Sequence, residues 1–192
     1  MKGTKVLCIF TCVLVVLVVS ANPTCAQQKG AGTPPRVSMG YFIGGVGWAV
    51  ESGGSTILYS NGGGGHVIAN RWVLGGEGHG VFGPGNAGGF GFVNLGYAVV
   101  MTDLLVLYPL LGVGGGSLTR EASPSVSRCG LLNPAVGVDL MIPILGDVGG
   151  LQLGLRGGYT FTVYSDSFNW SLPYVRVVVG MYGPPKADLN RR

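Results

Sequence analysis

The sequence predicts an all-β protein, an eight-stranded antiparallel up-and-down β-barrel that spans a membrane. Only 10% of the residues are charged and 47% are hydrophobic, so the chain can fold and still tolerate an apolar exterior. Eight segments between residues 36 and 182 read as strands, most of them with alternating apolar and polar or small side chains. The predicted connections also alternate between shorter and longer ones, which is typical of small membrane barrels.

The clearest strand covers residues 71–83. Trp72 and Phe82 bound an apolar face, whereas Glu77 and His79 lie on the opposite face. Ten residues of strand span about 33 Å, and a tilt of roughly 40° reduces this to about 25 Å, the height of the apolar band on a membrane barrel. We therefore expect Trp72 and Phe82 to mark the two membrane interfaces, and the ionisable face to point into the barrel.

The other strands are less sharply patterned, and the loops between them follow from composition. Residues 51–61 and 115–130, which are rich in Gly and Ser, are predicted to be loops, although residues 57–59 could extend the next strand. The connections then have lengths of about 11, 2, 6, 2, 16, 6 and 10 residues. The seven further predicted strands are residues 36–50, 62–69, 89–101, 104–114, 131–144, 151–163 and 174–182.

Two local features make sharper predictions. A tight turn at Asn70-Arg71 pairs Ala69 with Trp72, and this register turns His66 toward the barrel interior. Residues 104–114 are apolar on both faces, so the pattern leaves the orientation of this strand open. Pro109 within it lacks a backbone donor, which predicts a bulge or a distortion of the ladder.

The N-terminal residues 1–26 have the features of a secretory signal. Two lysines precede an apolar stretch at residues 6–19, and cleavage after Ala26 is favoured over the alternative site that ends at Ala21. An uncleaved anchor is the less favoured alternative, because the apolar stretch is short for a membrane span.

The domain organisation follows from that assignment. Cys25 raises the question of lipid attachment, but Asn22-Pro23-Thr24 before it are poorly suited to that modification. The chain is predicted to divide into a signal peptide at 1–26, a short linker at 27–35, a barrel domain at 36–182 and a polar tail at 183–192.

Charge and cysteine content exclude several classes of function. Loss of Lys2 and Lys5 with the signal leaves ten basic and eight acidic residues, a near balance that argues against nucleic-acid binding. Only Cys129 remains after cleavage at Ala26, so no intramolecular disulfide can form. The sequence has no CxxC and no His/Cys cluster with metal-ligand spacing, and we predict no metal site and no cofactor.

Polar side chains on the predicted inner faces form the candidate site. They include two acids and two arginines, a balance expected of a paired network in a lumen just wide enough for side chains. Glu77 and His79 could instead form an acid–base pair or part of a metal site, a less favoured alternative. No catalytic residue is predicted, and the predicted lumen network comprises His66, Glu77, His79, Asn94, Asp139, Arg156 and Arg176.

Three runs carry a resemblance to a known family: GGGGHVIANRWVLGGEGHG, YPLLGVGGG and GLRGGYTF. With the eight strands behind a signal segment, the chain resembles small bacterial outer-membrane barrels of the OmpA/OmpX type and uncharacterised barrel proteins. The resemblance implies a place in the bacterial outer membrane, with membrane lipid and the barrel-assembly machinery as partners. Such barrels commonly end in an aromatic residue, whereas Tyr182 here is followed by ten residues.

Three functions remain open from the sequence. The favoured one is a non-enzymatic barrel with a side-chain-filled lumen and a structural or surface-interaction role. A lipid-modifying barrel enzyme would need Ser, His and an acid near the lipid, but neither His66 nor His79 faces outward in the predicted register. A secreted lipocalin-like barrel would require every strand face to be inverted. Phe168 and Trp170 in the last loop are expected to be interface anchors.

Overall fold

The computed structural model describes residues 37–51, 54–120, 123–145, 149–165 and 171–183. The chain divides into two units, Met1–Pro34 and Pro35–Arg192, and every described residue belongs to the second. The predicted signal segment with Cys25, the linker at 27–35, the aromatics Phe168 and Trp170, and residues 184–192 of the predicted tail lie outside the described residues.

The described residues form an antiparallel β-barrel. The β4 and β5 segments occupy the same position in the barrel one after the other, so nine segments make eight barrel strands. The segments are β1 (Val37–Glu51), β2 (Gly54–Ala69), β3 (Trp72–Gly83), β4 (Asn86–Tyr97), β5 (Val100–Met101), β6 (Leu105–Arg120), β7 (Ser123–Pro143), β8 (Gly150–Ser165) and β9 (Leu172–Gly183).

The barrel is closed by pairing between its first and last strands, β1 and β9. A row of paired residues that starts at Arg128 on β7 crosses all eight barrel strands and returns to β7 at Val138, ten residues further along. Strand number and this stagger together set the tilt and the diameter, and eight strands leave room for little more than side chains. The predicted fold class is confirmed.

Both long loops predicted from composition are wrong. β2 begins at Gly54, so most of the predicted loop at residues 51–61 is strand. β6 continues to Arg120 and β7 begins at Ser123, so almost all of residues 115–130 lie in a paired hairpin. The predicted alternation of connection lengths fails for the same reason. Gly and Ser suggest loops by composition, but here their backbone groups are held in ladders on neighbouring strands.

The two local predictions are confirmed. Asn70 and Arg71 have φ angles of 51° and 69°, which is the geometry of a tight hairpin turn, and Ala69 pairs with Trp72. At Pro109 the ladder between β4 and β6 breaks. It ends at Gly96 paired with Leu110, and it resumes at Val100 paired with Leu107, with the register changed by one residue. Because Pro109 has no N–H, the ladder lacks a donor at this point.

Polarity is reversed relative to that of a water-soluble protein. The side chains of Asp139, Gln152 and Arg156 are buried in the lumen, whereas Phe42 is 80% exposed and Val163 is 71% exposed on the outer wall. On β6, whose orientation the pattern left open, Tyr108 is buried and Leu111 is exposed. Among the described residues, no helix is long and apolar enough to cross a membrane.

Candidate functional site

Glu77 on β3 is the centre of the buried polar network. Its Oε2 accepts a hydrogen bond from Nη1 of Arg156 at 2.8 Å, and its Oε1 accepts one from Nη1 of Arg176 at 3.2 Å. The Nε2 of His79 lies 3.1 Å from Oε1. Arg156 comes from β8 and Arg176 from β9, so both contacts cross the lumen. Both carboxylate oxygens therefore have charged partners, as a buried carboxylate requires.

Tyr41 on β1 contacts three members of this network, and it is not among the residues predicted from the sequence. Its hydroxyl accepts a hydrogen bond from Nη1 of Arg156 at 2.9 Å and lies 3.0 Å from Nε2 of His66. The same hydroxyl donates a hydrogen bond to Oε2 of Glu77 at 3.4 Å. The guanidinium carbon of Arg156 lies 4.4 Å from the centre of the Tyr41 ring, a cation–π distance. Tyr41 lies on the same face of β1 as Met39 and Ile43, but Phe42 lies on the other face, so large apolar side chains occur on both and the pattern does not mark the inner face.

Asp139 on β7 belongs to a second cluster with neutral partners. Its Oδ2 accepts hydrogen bonds from the Tyr108 hydroxyl at 2.6 Å and from Nε2 of Gln152 at 2.7 Å. Arg156 reaches this cluster through Tyr108, since its Nε donates to the Tyr108 hydroxyl at 3.3 Å. The sequence predicted that Asp139 and Glu77 together balance the two arginines. In the described residues only Glu77 contacts them directly.

His66 and Asn94 complete the predicted set. Nδ1 of His66 lies 3.4 Å from Nη2 of Arg156, and Nδ2 of Asn94 lies 3.5 Å from Nε2 of His66. Both side chains are buried, with exposed fractions of 1% and 2%. All seven residues predicted for the lumen are therefore buried in the barrel. Six of them are joined by direct contacts around Glu77 and Arg156, and Asp139 is joined to this group through Tyr108.

Glycines on the inner face provide the space that these large side chains occupy. A Cβ atom on Gly137 would lie 2.5 Å from the Tyr108 ring, and one on Gly75 would overlap the His66 ring. Each ring thus lies directly over a glycine of the neighbouring strand. The glycines on the inner face therefore belong to the site, because a larger residue at these positions would displace the rings. The sequence alone does not show which glycines have this role.

Apolar side chains border the network along the strands on both sides. On β3, Val73 and Val81 flank Glu77 and His79, and each valine is at most 4% exposed. On β9, Val178 follows Arg176 toward the described chain end and is fully buried. The polar groups therefore lie between two layers of apolar side chains.

The two predicted interface aromatics lie on the outer wall at opposite ends of β3. Trp72 is 55% exposed and packs edge-to-face on Tyr97, with ring centres 5.5 Å apart. Phe82 is 46% exposed and stacks on Tyr59, with ring centres 6.3 Å apart. Each end of the strand thus carries an aromatic pair with its neighbouring strand.

The arrangement offers little to a substrate or a metal. Glu77 has both oxygens engaged, and its residue is 8% exposed. Among the described residues, no group of three or more His, Cys, Asp or Glu side chains could hold a metal ion. This geometry is that of a hydrogen-bonded network that plugs the lumen.

Comparison with known proteins reveals similarity at the level of structure. No family model matches the chain, and no curated protein has detectable sequence similarity to it. The crystal structure of Neisserial surface protein A superposes with a TM-score of 0.54 and 13% identity, covering 78% of this chain and 97% of that one. The crystal structure of Ail, the attachment invasion locus protein of Yersinia pestis, superposes with a TM-score of 0.52 and 11% identity, covering 77% of this chain and 98% of that one. The resemblance to small outer-membrane barrels predicted from the sequence is confirmed for the fold.

Proposed function

We propose that the protein is an integral barrel of the bacterial outer membrane, exported by its N-terminal signal and closed by the Glu77-centred network. Its role is structural or one of surface interaction, with the barrel acting as a rigid support for the hairpins at the end opposite Val37 and Gly183. It binds membrane lipid around its wall and carries out no reaction.

The reversed polarity of the barrel is the observation that carries this proposal. Charged side chains such as Arg156 and Asp139 are buried, while Leu155 and Val177 on the neighbouring outer face are more than half exposed. In water, such an exterior would cost about 25 cal/mol for every Å² of exposed apolar surface. In a bilayer the same surface faces lipid, and in the described residues the pairing of β1 with β9 closes the ladder, as a membrane-spanning sheet requires.

A role at the outer surface is supported by the lengths of the strands. About 9 to 11 residues suffice for a tilted strand to cross the apolar layer. β6 has 16 residues and β7 has 21, so this hairpin extends well beyond the membrane. A filled barrel with an extended hairpin fits a scaffold that presents surface better than it fits a channel.

The two alternative functions receive less support. A lipid-modifying enzyme needs its catalytic groups near the lipid, but His66 and His79 are buried in the lumen with exposed fractions of 1% and 5%. A lipocalin-like carrier needs an apolar interior and a polar exterior, the opposite of the distribution around Glu77 and Phe42.

Cell fractionation followed by heat-modifiable gel mobility tests the proposed location. We expect the protein in the outer-membrane fraction, released only by detergent, with a folded form that migrates differently from the boiled one. Recovery of the mature chain from the periplasm or the medium without detergent would contradict the proposal and favour the carrier.

A further inference from the structure

A small cavity adjoins the network on the side opposite the described chain ends. Its volume is about 20 Å³, which is sufficient for one water-sized occupant. Most of its walls are apolar, and they include Val81, Phe90 and Leu131. Arg176 and Tyr174 also line it, so the cavity reaches the charged groups of the network.

Arg176 has a donor that the network does not use. Its Nη1 bonds to Glu77 at 3.2 Å, whereas its Nε is buried and has no hydrogen-bond partner. The residue is 3% exposed. The guanidinium carbon lies 3.8 Å from the centre of the Tyr174 ring and 5.5 Å from that of Phe90, so aromatic rings hold it in place. A buried charged donor without an acceptor is costly, and an acceptor in the cavity removes that cost.

The balance of charge around the cavity is locally positive. Two guanidinium groups, those of Arg156 and Arg176, contact the single carboxylate of Glu77. The second carboxylate, that of Asp139, bonds to Tyr108 and Gln152 instead. An occupant next to Arg176 therefore experiences an excess of positive charge at short range.

We propose that this cavity binds one small monovalent anion of the size of chloride, with Nε of Arg176 as its principal donor. Size excludes sulfate and phosphate. The polar side chains of the wall, those of Arg176, Tyr174, Ser60 and Thr160, are enough for a neutral water as well, and it is the positive charge of Arg156 and Arg176 against the one carboxylate of Glu77 that favours an anion. The Thr160 hydroxyl already donates to Asn133. This inference adds a bound ion to the filled lumen described under the proposed function. It does not depend on where in the cell the protein is located.

Bromide provides a direct probe, because it scatters anomalously and is close to chloride in size. In crystals of the wild-type protein grown in bromide, we expect one anomalous peak within hydrogen-bond distance of Nε of Arg176. A peak absent from this cavity, with only water density there, would overturn the proposal.

Unfolding in solution provides the second readout. At constant ionic strength, replacing gluconate by chloride should raise the urea midpoint of the wild-type barrel in vesicles, and the effect should saturate. Val81→Phe, which fills the cavity without changing charge, should abolish the chloride effect, whereas Val177→Phe on the outer wall should retain it. Equal wild-type midpoints in the two salts would refute the anion site. A barrel that does not conduct but shows no chloride effect would leave the proposed function intact.

Discussion

Glu77 shows how one buried carboxylate organises a narrow lumen. Two guanidinium groups from β8 and β9 and the imidazole of His79 on the same strand contact it, and the Tyr41 hydroxyl bonds both to Glu77 and to the guanidinium group of Arg156. Transfer of isolated charges out of water is costly, so the value of this arrangement depends on every partner being present. The contacts between Glu77 and the two arginines hold opposite walls of the barrel at a fixed separation.

Removal of one partner should therefore be strongly destabilising. We expect Glu77→Ala to lower the free energy of unfolding by about 3–5 kcal/mol, because it leaves buried guanidinium groups unpaired. Arg156→Ala should have a similar effect, and the double variant should lose less than the sum of the two single losses. Urea unfolding in lipid vesicles measures all three. Single variants that unfold like the wild type would show that the network does not hold the barrel together and would reopen a chemical role for Glu77.

At the scale of the elements, inward glycine and large polar side chains form matched pairs across strands. Gly137 lies under the Tyr108 ring, which in turn holds Asp139. We expect Gly137→Val to displace Tyr108 and to lower the free energy of unfolding by about 1–3 kcal/mol, the usual cost of overpacking. Gly78 is the matched control, since a Cβ there would meet no atom within 4 Å. Gly78→Val should be neutral or stabilising in the same urea assay, and equal losses at the two sites would contradict this account.

Period-2 patterning could predict which side of most strands faces the lumen, because a narrow closed barrel forces each strand to alternate between two very different environments. It placed Glu77, Arg156 and Arg176 inside. It could not predict Tyr41 or Tyr108, because β1 and β6 carry large apolar side chains on both faces. Nor could it predict the long hairpin at residues 115–130, because its backbone groups pair within the hairpin and with residues 86–91, whereas its Gly- and Ser-rich composition is typical of a loop.

At the scale of the whole molecule, the fold class could be predicted from the sequence, whereas the lengths of the connections between strands could not. The low charge, the alternation of apolar and polar side chains and the aromatic spacing on β3 all arise because lipid contacts the outer face of the wall and polar side chains fill the inner face. These features therefore predict the same architecture, a membrane-spanning barrel. Partner choice within the lumen is different. Glu77 bonds to both arginines while Asp139 bonds to neutral groups. This depends on the order of the strands, which puts β3 across the lumen from β8 and β9, and on the stagger of ten residues, which sets the residues that lie at the same level.

The central claim is that the barrel is a closed support and not a channel, and single-channel recording of the refolded protein in planar lipid bilayers tests it most directly. Two apolar layers and a connected network fill the described lumen, and the cavity of about 20 Å³ beside Arg176 is far too small for a water-filled path. We expect no stable conductance steps from the wild-type barrel at either polarity of the applied voltage. Large, reproducible steps from the folded protein would contradict the claim.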